Sequence, residues 1–380
     1  MNILHTVEFY YPSVGGIQEV VKQLSEHLVK LGHRVTVATT KLPDRKSDII
    51  NGVNVVEFKI KGKMAMGIWG EKQKYLNYVL NSNFDVITNF AAQQWATDLL
   101  LPHLKEIKAK KVFVPTGFSG LYSPFYRSYY QKMKGWLKKY DLNIFHSYNY
   151  RDINFARKNK IKKITVIPNG AAKDEFLKKP CLNIRKGLGV PEDHFLILTV
   201  GSHTGRKCHA EAIEIFRKAK FKKATLLVVG DPIKFPEGCF YQCLTKALFS
   251  QYILIRNFTR EQTAAAFQAA DLFLFPSRIE CSPLVLFESA AAGLPFLTTE
   301  VGNSKEVIKW TGGGALLPTE FDKHGFSRVK IRAATEMLKY YYNHPRQLTL
   351  MGKRGRRVWL KNFTWDKIAR QYENLYKKIS

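Results

Sequence analysis

Short apolar runs alternate with longer amphipathic stretches along this chain, and the alternating series occurs twice. In the first series, the apolar run Ile3–Val7 is followed by Tyr11-Pro12-Ser13-Val14-Gly15-Gly16. A helical pattern then covers Ile17–Leu31, with Val20, Val21, Leu24, Leu28 and Leu31 on one stripe and Gly32 placed to cap its end. Arg34–Thr40, Asp85–Asn89, Lys111–Pro115, Leu142–His146 and Ile164–Ile167 read as further strands with helices between them. Strands separated by helices pair in parallel, which gives a sheet covered by helices on both faces.

The turn signal Pro168-Asn169-Gly170-Ala171 and a polar, Lys-containing stretch to Pro180 interrupt the pattern. A second series follows with Phe195–Val200, Ala224–Val229, Tyr252–Ile255, Leu272–Phe275 and Phe296–Thr299. The expectation is therefore an α/β protein of two Rossmann-like, doubly wound domains, residues 1–179 and 180–364, facing across a cleft. A closing helix, Trp365–Ile379, carries Ile368, Tyr372, Leu375 and Tyr376 on one face and is assigned to the first domain. In such sheets ligands sit beyond the carboxyl ends of the strands, so motifs there carry the functional weight.

A chain of 380 residues is long for one core, in keeping with two domains. The net charge of +29 is spread over both halves and attracts polyanions: nucleotide phosphates, an anionic membrane face or nucleic acid. Five cysteines, Cys181, Cys208, Cys239, Cys243 and Cys281, offer one close pair, C-x3-C at Cys239 and Cys243. Four-ligand zinc spacing is missing, so this pair is expected to be packed thiols in a reducing compartment. Met1-Asn2-Ile3-Leu4 leads at once into a strand-like run, so no leader is expected. No apolar run approaches the roughly 18 residues of a spanning helix.

The most informative stretch runs from Phe273 to Gly293. An apolar strand ends at Pro276, a short loop carries Glu280, and a helix begins at Ser282-Pro283, with Ser282 expected as N-cap and Gly293 as terminator. The free amides of Leu284 and Val285 would form a phosphate site at the positive helix end. Glu288, two turns in, would be a buried carboxylate that sugar hydroxyls could satisfy. Lys207, opening a helix after Val200-Gly201, is a cation at a helix N-terminus, which is unfavourable unless an anion is near.

This E-x7-E arrangement resembles retaining glycosyltransferase family 4, which has the GT-B fold. The resemblance extends to Pro12-Ser13-Val14-Gly15-Gly16, Ile167-Pro168-Asn169-Gly170, Val200-Gly201 with Lys207, and the closing Phe363-Thr364-Trp365. It implies that Glu280 contacts the transferred sugar and Glu288 the donor ribose. Leu284 and Val285 would hold the distal phosphate, and Gly15 and Gly16 would let backbone approach the phosphates. Gly201, Ser282 and, in the base pocket, Asn257 complete the expected donor set.

Two departures stand out. Ser202 occupies the place of the family's usual Arg after Gly201, and Arg206 beside Lys207 is the candidate replacement. The first domain has Thr116-Gly117-Phe118-Ser119 where many relatives have a sugar-contacting His. Thr116 and His146 are the candidate substitutes, His146 also fitting a satisfied core residue.

The resemblance implies retention at the anomeric carbon, no metal and no cofactor beyond the nucleotide-sugar donor, with a glycan or lipid-linked acceptor. No D-x-D pair stands after a strand to hold a divalent ion. Lys59–Trp69 and Tyr126–Lys139 mix bases with large apolar groups and suit an anionic bilayer, giving a cytoplasmic protein peripheral to the membrane's inner face. The alternatives are a nucleotide-sugar 2-epimerase, a degenerate donor-binding protein, and a charge-driven nucleic-acid module, whose salt-steep polyanion binding the cleft motifs do not require.

Overall fold

The computed structural model of the chain describes residues 1–178, 180, 182–233, 238–248, 250 and 252–380, and all counts of elements are of these residues. Cys181 lies outside them. The chain divides into two compact units, Met1–Asn169 with Trp365–Ser380, and Gly170–Thr364. The division falls inside the Pro168–Ala171 turn, ahead of the expected boundary at 179/180.

The first unit runs β1 (Asn2–Thr6), α1 (Gly16–Lys30), β2 (Arg34–Thr40), β3 (Ile49–Ile50), β4 (Val53–Phe58), β5 (Ile60–Lys63), β6 (Gly67–Gly70) and α2 (Lys72–Asn81). It continues with β7 (Val86–Phe90), α3 (Trp95–Asp98), β8 (Lys110–Val114), α4 (Arg127–Lys139), β9 (Leu142–Phe145), α5 (Arg151–Lys158) and β10 (Ile164–Val166). Its sheet order is β10-β9-β8-β7-β1-β2-β4-β3, with all pairings parallel except β3 to β4. The α1 stripe packs as its spacing predicts: Val20, Val21, Leu24 and Leu28 are buried. Gly32 follows with φ +86, the left-handed stop that glycine makes cheaply.

The second unit runs α6 (Lys173–Phe176), α7 (Ile184–Gly187), β11 (Phe195–Val200), α8 (His209–Ala219), β12 (Ala224–Val229), α9 (Phe240–Ala247), β13 (Ile253–Arg256) and α10 (Arg260–Ala269). Next come β14 (Leu272–Phe275), α11 (Leu284–Ala292), β15 (Phe296–Thr298), α12 (Ser304–Thr311), β16 (Gly314–Leu316), β17 (Thr319–Phe321), β18 (Ser327–Val329), α13 (Ile331–Tyr342) and α14 (Pro345–Asn362). Its sheet is wholly parallel, in the order β13-β12-β11-β14-β15-β16. Strand order reverses between β11 and β14, the place where doubly wound sheets open a ligand crevice.

The last helix, α15 (Trp365–Ile379), returns to the first unit. Ile368, Tyr372 and Tyr376 are buried, whereas Leu375 is half-buried and Glu373 takes a place against the core. Tyr376 OH meets Thr88 Oγ1 at 2.7 Å, and Glu373 Oε1 lies 3.1 Å from His33 Nε2. These contacts explain why residues so late in the chain belong with the first sheet.

The two basic, aromatic segments differ. Lys59–Trp69 forms the β5–β6 antiparallel hairpin, with Met66 and Trp69 exposed. Within Tyr126–Lys139, α4 turns Tyr129, Tyr130, Met133, Trp136 and Leu137 into the core. The apolar face of α4 is therefore a packing surface, unavailable to a bilayer.

Candidate active site

The switch point of the second sheet sets two loops side by side. One follows β11 and carries Gly201–Lys207; the other follows β14 and carries Pro276–Pro283. Ser277, fully buried, has its hydroxyl 3.1 Å from the Arg206 carbonyl and 2.8 Å from Glu280 Oε1, and donates to one or the other. The Arg278 amide also donates to the Arg206 carbonyl, at 2.8 Å. With the loops clamped this way, Lys207 Nζ donates to Glu280 Oε1 at 2.6 Å. The anion that a cation before α8 requires is thus Glu280 itself. Lys207 Nζ also stands 5.8 Å from the Phe275 ring centroid.

Glycine and histidine shape the floor. His209 is buried, and burial holds it neutral by lowering its pKa to about 3. Its Nε2–H donates to the Gly201 carbonyl at 2.8 Å. A Cβ on Gly230 would lie 1.8 Å from that same carbonyl oxygen, so only glycine fits where β12 ends against β11. Arg206 keeps its side chain exposed. The structure brings together Lys207, Glu280 and the Arg206 backbone.

Helix α11 starts one residue later than the sequence implies. Pro283, at φ −67° and ψ 117°, is its N-cap, with no side-chain cap. Ser282 is not the cap, because its Oγ accepts from Asn303 Nδ2 at 3.0 Å. Leu284 and Val285 are half-buried at the helix start, where a dipole end of roughly +0.5 charge favours an anion. Gly293 ends the helix at φ +74.

Glu288 is buried on α11, as expected, but protein carries the cost of burying it. Arg260 Nη1 lies 2.7 Å from Glu288 Oε1. The same guanidinium grips Glu175 through Nε at 2.9 Å and Nη2 at 2.5 Å. Sugar hydroxyls are therefore not needed to account for this carboxylate. Arg260 opens α10 behind a Thr259–Gln262 capping box. A cation at a helix start was the signal that could have found it.

Gly302 is a further residue that sequence reasoning missed. It has φ +54, and a Cβ there would lie 2.4 Å from the Cys281 carbonyl oxygen. Next to it, the Asn303 amide donates to that carbonyl at 2.9 Å. The loop of Glu280 is thereby held from below, while Arg278 fastens it to Asp322 at 3.0 Å. Asn257 is exposed just beyond β13.

In the first unit, Gly15 is the N-cap of α1 without a side-chain cap, and a Cβ on Gly16 would meet nothing within 4 Å. The β8 end holds three successive left-handed residues: Thr116 (φ 56), Gly117 (φ 110) and Phe118 (φ 47). Ala91 (φ 60) and Gln93 (φ 62) add two more after β7. Such backbone costs on the order of 1–3 kcal/mol per non-glycine residue and clusters at functional sites. Gln93 Oε1 lies 3.3 Å from both Ser119 Oγ and the Gly120 amide. Its own amide donates to Tyr129 OH at 3.1 Å, and Tyr129 donates to buried Asp98 at 2.8 Å. His146 is buried, and its Nδ1 donates to the Ile167 carbonyl at 2.9 Å. Burial lowers its pKa. This geometry uses His146 to join the ends of β9 and β10.

Two family models match the chain: Glycosyltransferase Family 4 over residues 14–175, and Glycosyl transferases group 1 over residues 182–339. An uncharacterised glycosyltransferase of Methanocaldococcus jannaschii is 26% identical, covering 98% of this chain and 97% of its own. The N-acetyl-alpha-D-glucosaminyl L-malate synthase of Bacillus anthracis is 24% identical, over 97% and 95%. Among solved structures, Anabaena HepE in complex with UDP and glucose superimposes with a TM-score of 0.78 at 16% identity, covering 100% of both chains.

Proposed function

We propose that this chain, a glycosyltransferase of the GT-B fold, is a retaining member of glycosyltransferase family 4 that moves a hexose-type sugar from a nucleoside-diphosphate donor to a glycan or lipid-linked acceptor. The observation that carries this reading is the Glu280 carboxylate, held by Lys207 and Ser277 at the switch point beside the uncapped start of α11.

In this reading the donor diphosphate takes its countercharge from Lys207, Arg206 and the amides of Leu284 and Val285, with Gly201 and Ser282 at the rim. These groups act where charge develops on the leaving group, so no metal is required. The bond from the anomeric carbon to the diphosphate oxygen breaks, and the acceptor oxygen bonds to the same face. The acceptor proton passes to an oxygen of the departing diphosphate. Glu280 orients the transferred sugar, Glu288 the ribose, and Asn257 borders the base. On the first unit, Gly15 and Gly16 leave the start of α1 open to an anion of its own. The strained Thr116 turn is the stronger candidate for acceptor or sugar contact, since His146 already serves Ile167. UDP in the HepE complex makes a uridine donor the first to try.

Among the described residues no helix is long and apolar enough to cross a membrane. The β5–β6 hairpin, with exposed Lys59, Lys61, Met66 and Trp69, supports peripheral docking on an anionic, cytoplasm-facing leaflet.

Thermal unfolding of the purified protein with UDP, GDP, ADP and their sugars tests the donor assignment. A ligand at about 100 times its Kd adds roughly 2.7 kcal/mol of stability. A rise with one nucleotide family, lost in Glu288→Ala, is expected. Anomeric configuration of the product, read by NMR, tests retention; an inverted product overturns it.

A further inference from the structure

The loop that leads to Lys207 is stitched, four residues earlier, to a second element. His203 donates its amide to the Asp231 carbonyl at 3.0 Å, and its own carbonyl accepts from the Cys239 amide at 2.7 Å. Thr204 and Gly238 form an isolated bridge. Cys239 caps α9 and Cys243 follows one turn later, so the two thiols share a face. His203 and Cys243 are fully buried and Cys239 nearly so.

The three side chains converge. Cys239 Sγ lies 3.8 Å from His203 Nδ1 and 3.9 Å from Cys243 Sγ. All three potential ligand atoms are within 4.8 Å of one another. A tetrahedral zinc ion, with Zn–S of about 2.3 Å and Zn–N of about 2.0 Å, has S···S edges of about 3.8 Å and S···N edges of about 3.5 Å. Two of the three edges therefore need to move by only a few tenths of an ångström.

Without a cation the cluster is poorly served. His203 Nδ1 meets only the Cys239 thiol among the described residues, at a long 3.8 Å, and the ring is otherwise packed by His209 and Phe240. Thiols are weak donors and acceptors, so they compensate a buried imidazole badly. A dication bound by two thiolates and a neutral imidazole is a charge-balanced unit, which a buried site tolerates.

We propose that His203 Nδ1, Cys239 Sγ and Cys243 Sγ bind one thiophilic divalent cation of the zinc class, distinct from the sugar-transfer chemistry at Glu280. The Thr204 carbonyl, 3.6 Å from Cys239 Sγ, is at hand for the fourth position. Binding releases the two thiol protons and cross-links the Gly201–Lys207 loop to α9, so the cation acts as a brace for Lys207. The C-x3-C pair then serves as half of a site whose third ligand comes from 36 residues earlier in the chain.

The test uses the full chain, reduced and stripped with chelator, titrated with Co2+ as the probe. One equivalent per chain is expected to give thiolate-to-cobalt charge-transfer absorption with tetrahedral ligand-field bands, displaced by Zn2+, and a raised Tm. Cys239→Ser and His203→Gln are expected to lose these bands, while Cys208→Ser and Cys281→Ser keep them. No charge-transfer band in the parent protein at one equivalent overturns the proposal, whether or not the variants fold. Bands that persist in Cys239→Ser overturn it too. So does a reversible Cys239–Cys243 disulfide with no cobalt spectrum after reduction.

Discussion

Lys207 Nζ and Glu280 Oε1 stand 2.6 Å apart, although 73 positions separate them in the chain. The pair joins the loops after β11 and β14, so each residue fixes the other at the switch point of the second sheet. Lys207→Ala and Glu280→Gln are each expected to lower kcat/KM by roughly 10²- to 10³-fold. Because they share one contact, the double variant should lose less than the product of the two. Steady-state kinetics on the four proteins decides it; multiplicative losses would mean the residues act independently.

Arg260 ties two carboxylates, buried Glu288 and Glu175, to the start of α10. Arg260→Ala takes a cation from a buried carboxylate, with an expected cost of about 1–3 kcal/mol given that the guanidinium is partly exposed. Adding Glu288→Gln should recover part of this loss in urea unfolding. A double variant as unstable as the sum of the singles would rule the pair out as the cause.

Two glycines should behave oppositely. Gly302→Ala forces a Cβ against the Cys281 carbonyl at positive φ, so it should destabilise by roughly 2 kcal/mol and displace the Glu280 loop. Gly16→Ala meets nothing within 4 Å and should unfold like the parent. A raised KM for the donor in Gly16→Ala would then report a phosphate passing close to that backbone.

Asp98 is buried, and burial raises its pKa to about 6 from a reference of 3.8, against the pull of the Met64 amide and Tyr129. The folded state therefore disfavours its ionised form. Its contribution is most favourable below the unfolded pKa and is lost as pH rises through about 6. Asp98→Asn should gain roughly 2–3 kcal/mol relative to the parent between pH 4 and pH 7.5. Urea unfolding at the two pH values measures this; a pH-independent difference would contradict it.

The exposed Met66 and Trp69 on the β5–β6 hairpin give the membrane reading a sharp form. Trp69→Ser should weaken binding to anionic vesicles at least several-fold, whereas Lys134→Ser on α4 should act only through charge and vanish at high salt. Co-sedimentation at two salt concentrations separates the two effects.

The alternating period was enough to draw the central strands of both sheets, because a strand buried on two faces must be apolar throughout and its covering helix must carry a stripe. It fixed the second unit's β11, β12 and β14 at their observed bounds, and it located Lys207 and Glu280 in the loops beyond strand ends and Glu288 on the helix that follows. It missed β4, whose Val53–Phe58 run is broken by the polar Asn54 and Glu57, and β16, which is only three residues long. What sequence could not supply was partnership across the chain. Glu288 looked like a carboxylate awaiting a ligand until Arg260 came beside it, and Ser282 looked like a cap until Asn303 claimed its hydroxyl. Cys239 and Cys243 were a pair of thiols until β11 brought His203 to them. Periodicity is a local property that every segment carries in itself. Pairing of charges and ligands depends on which strand ends the topology makes neighbours, and only the folded sheet decides that.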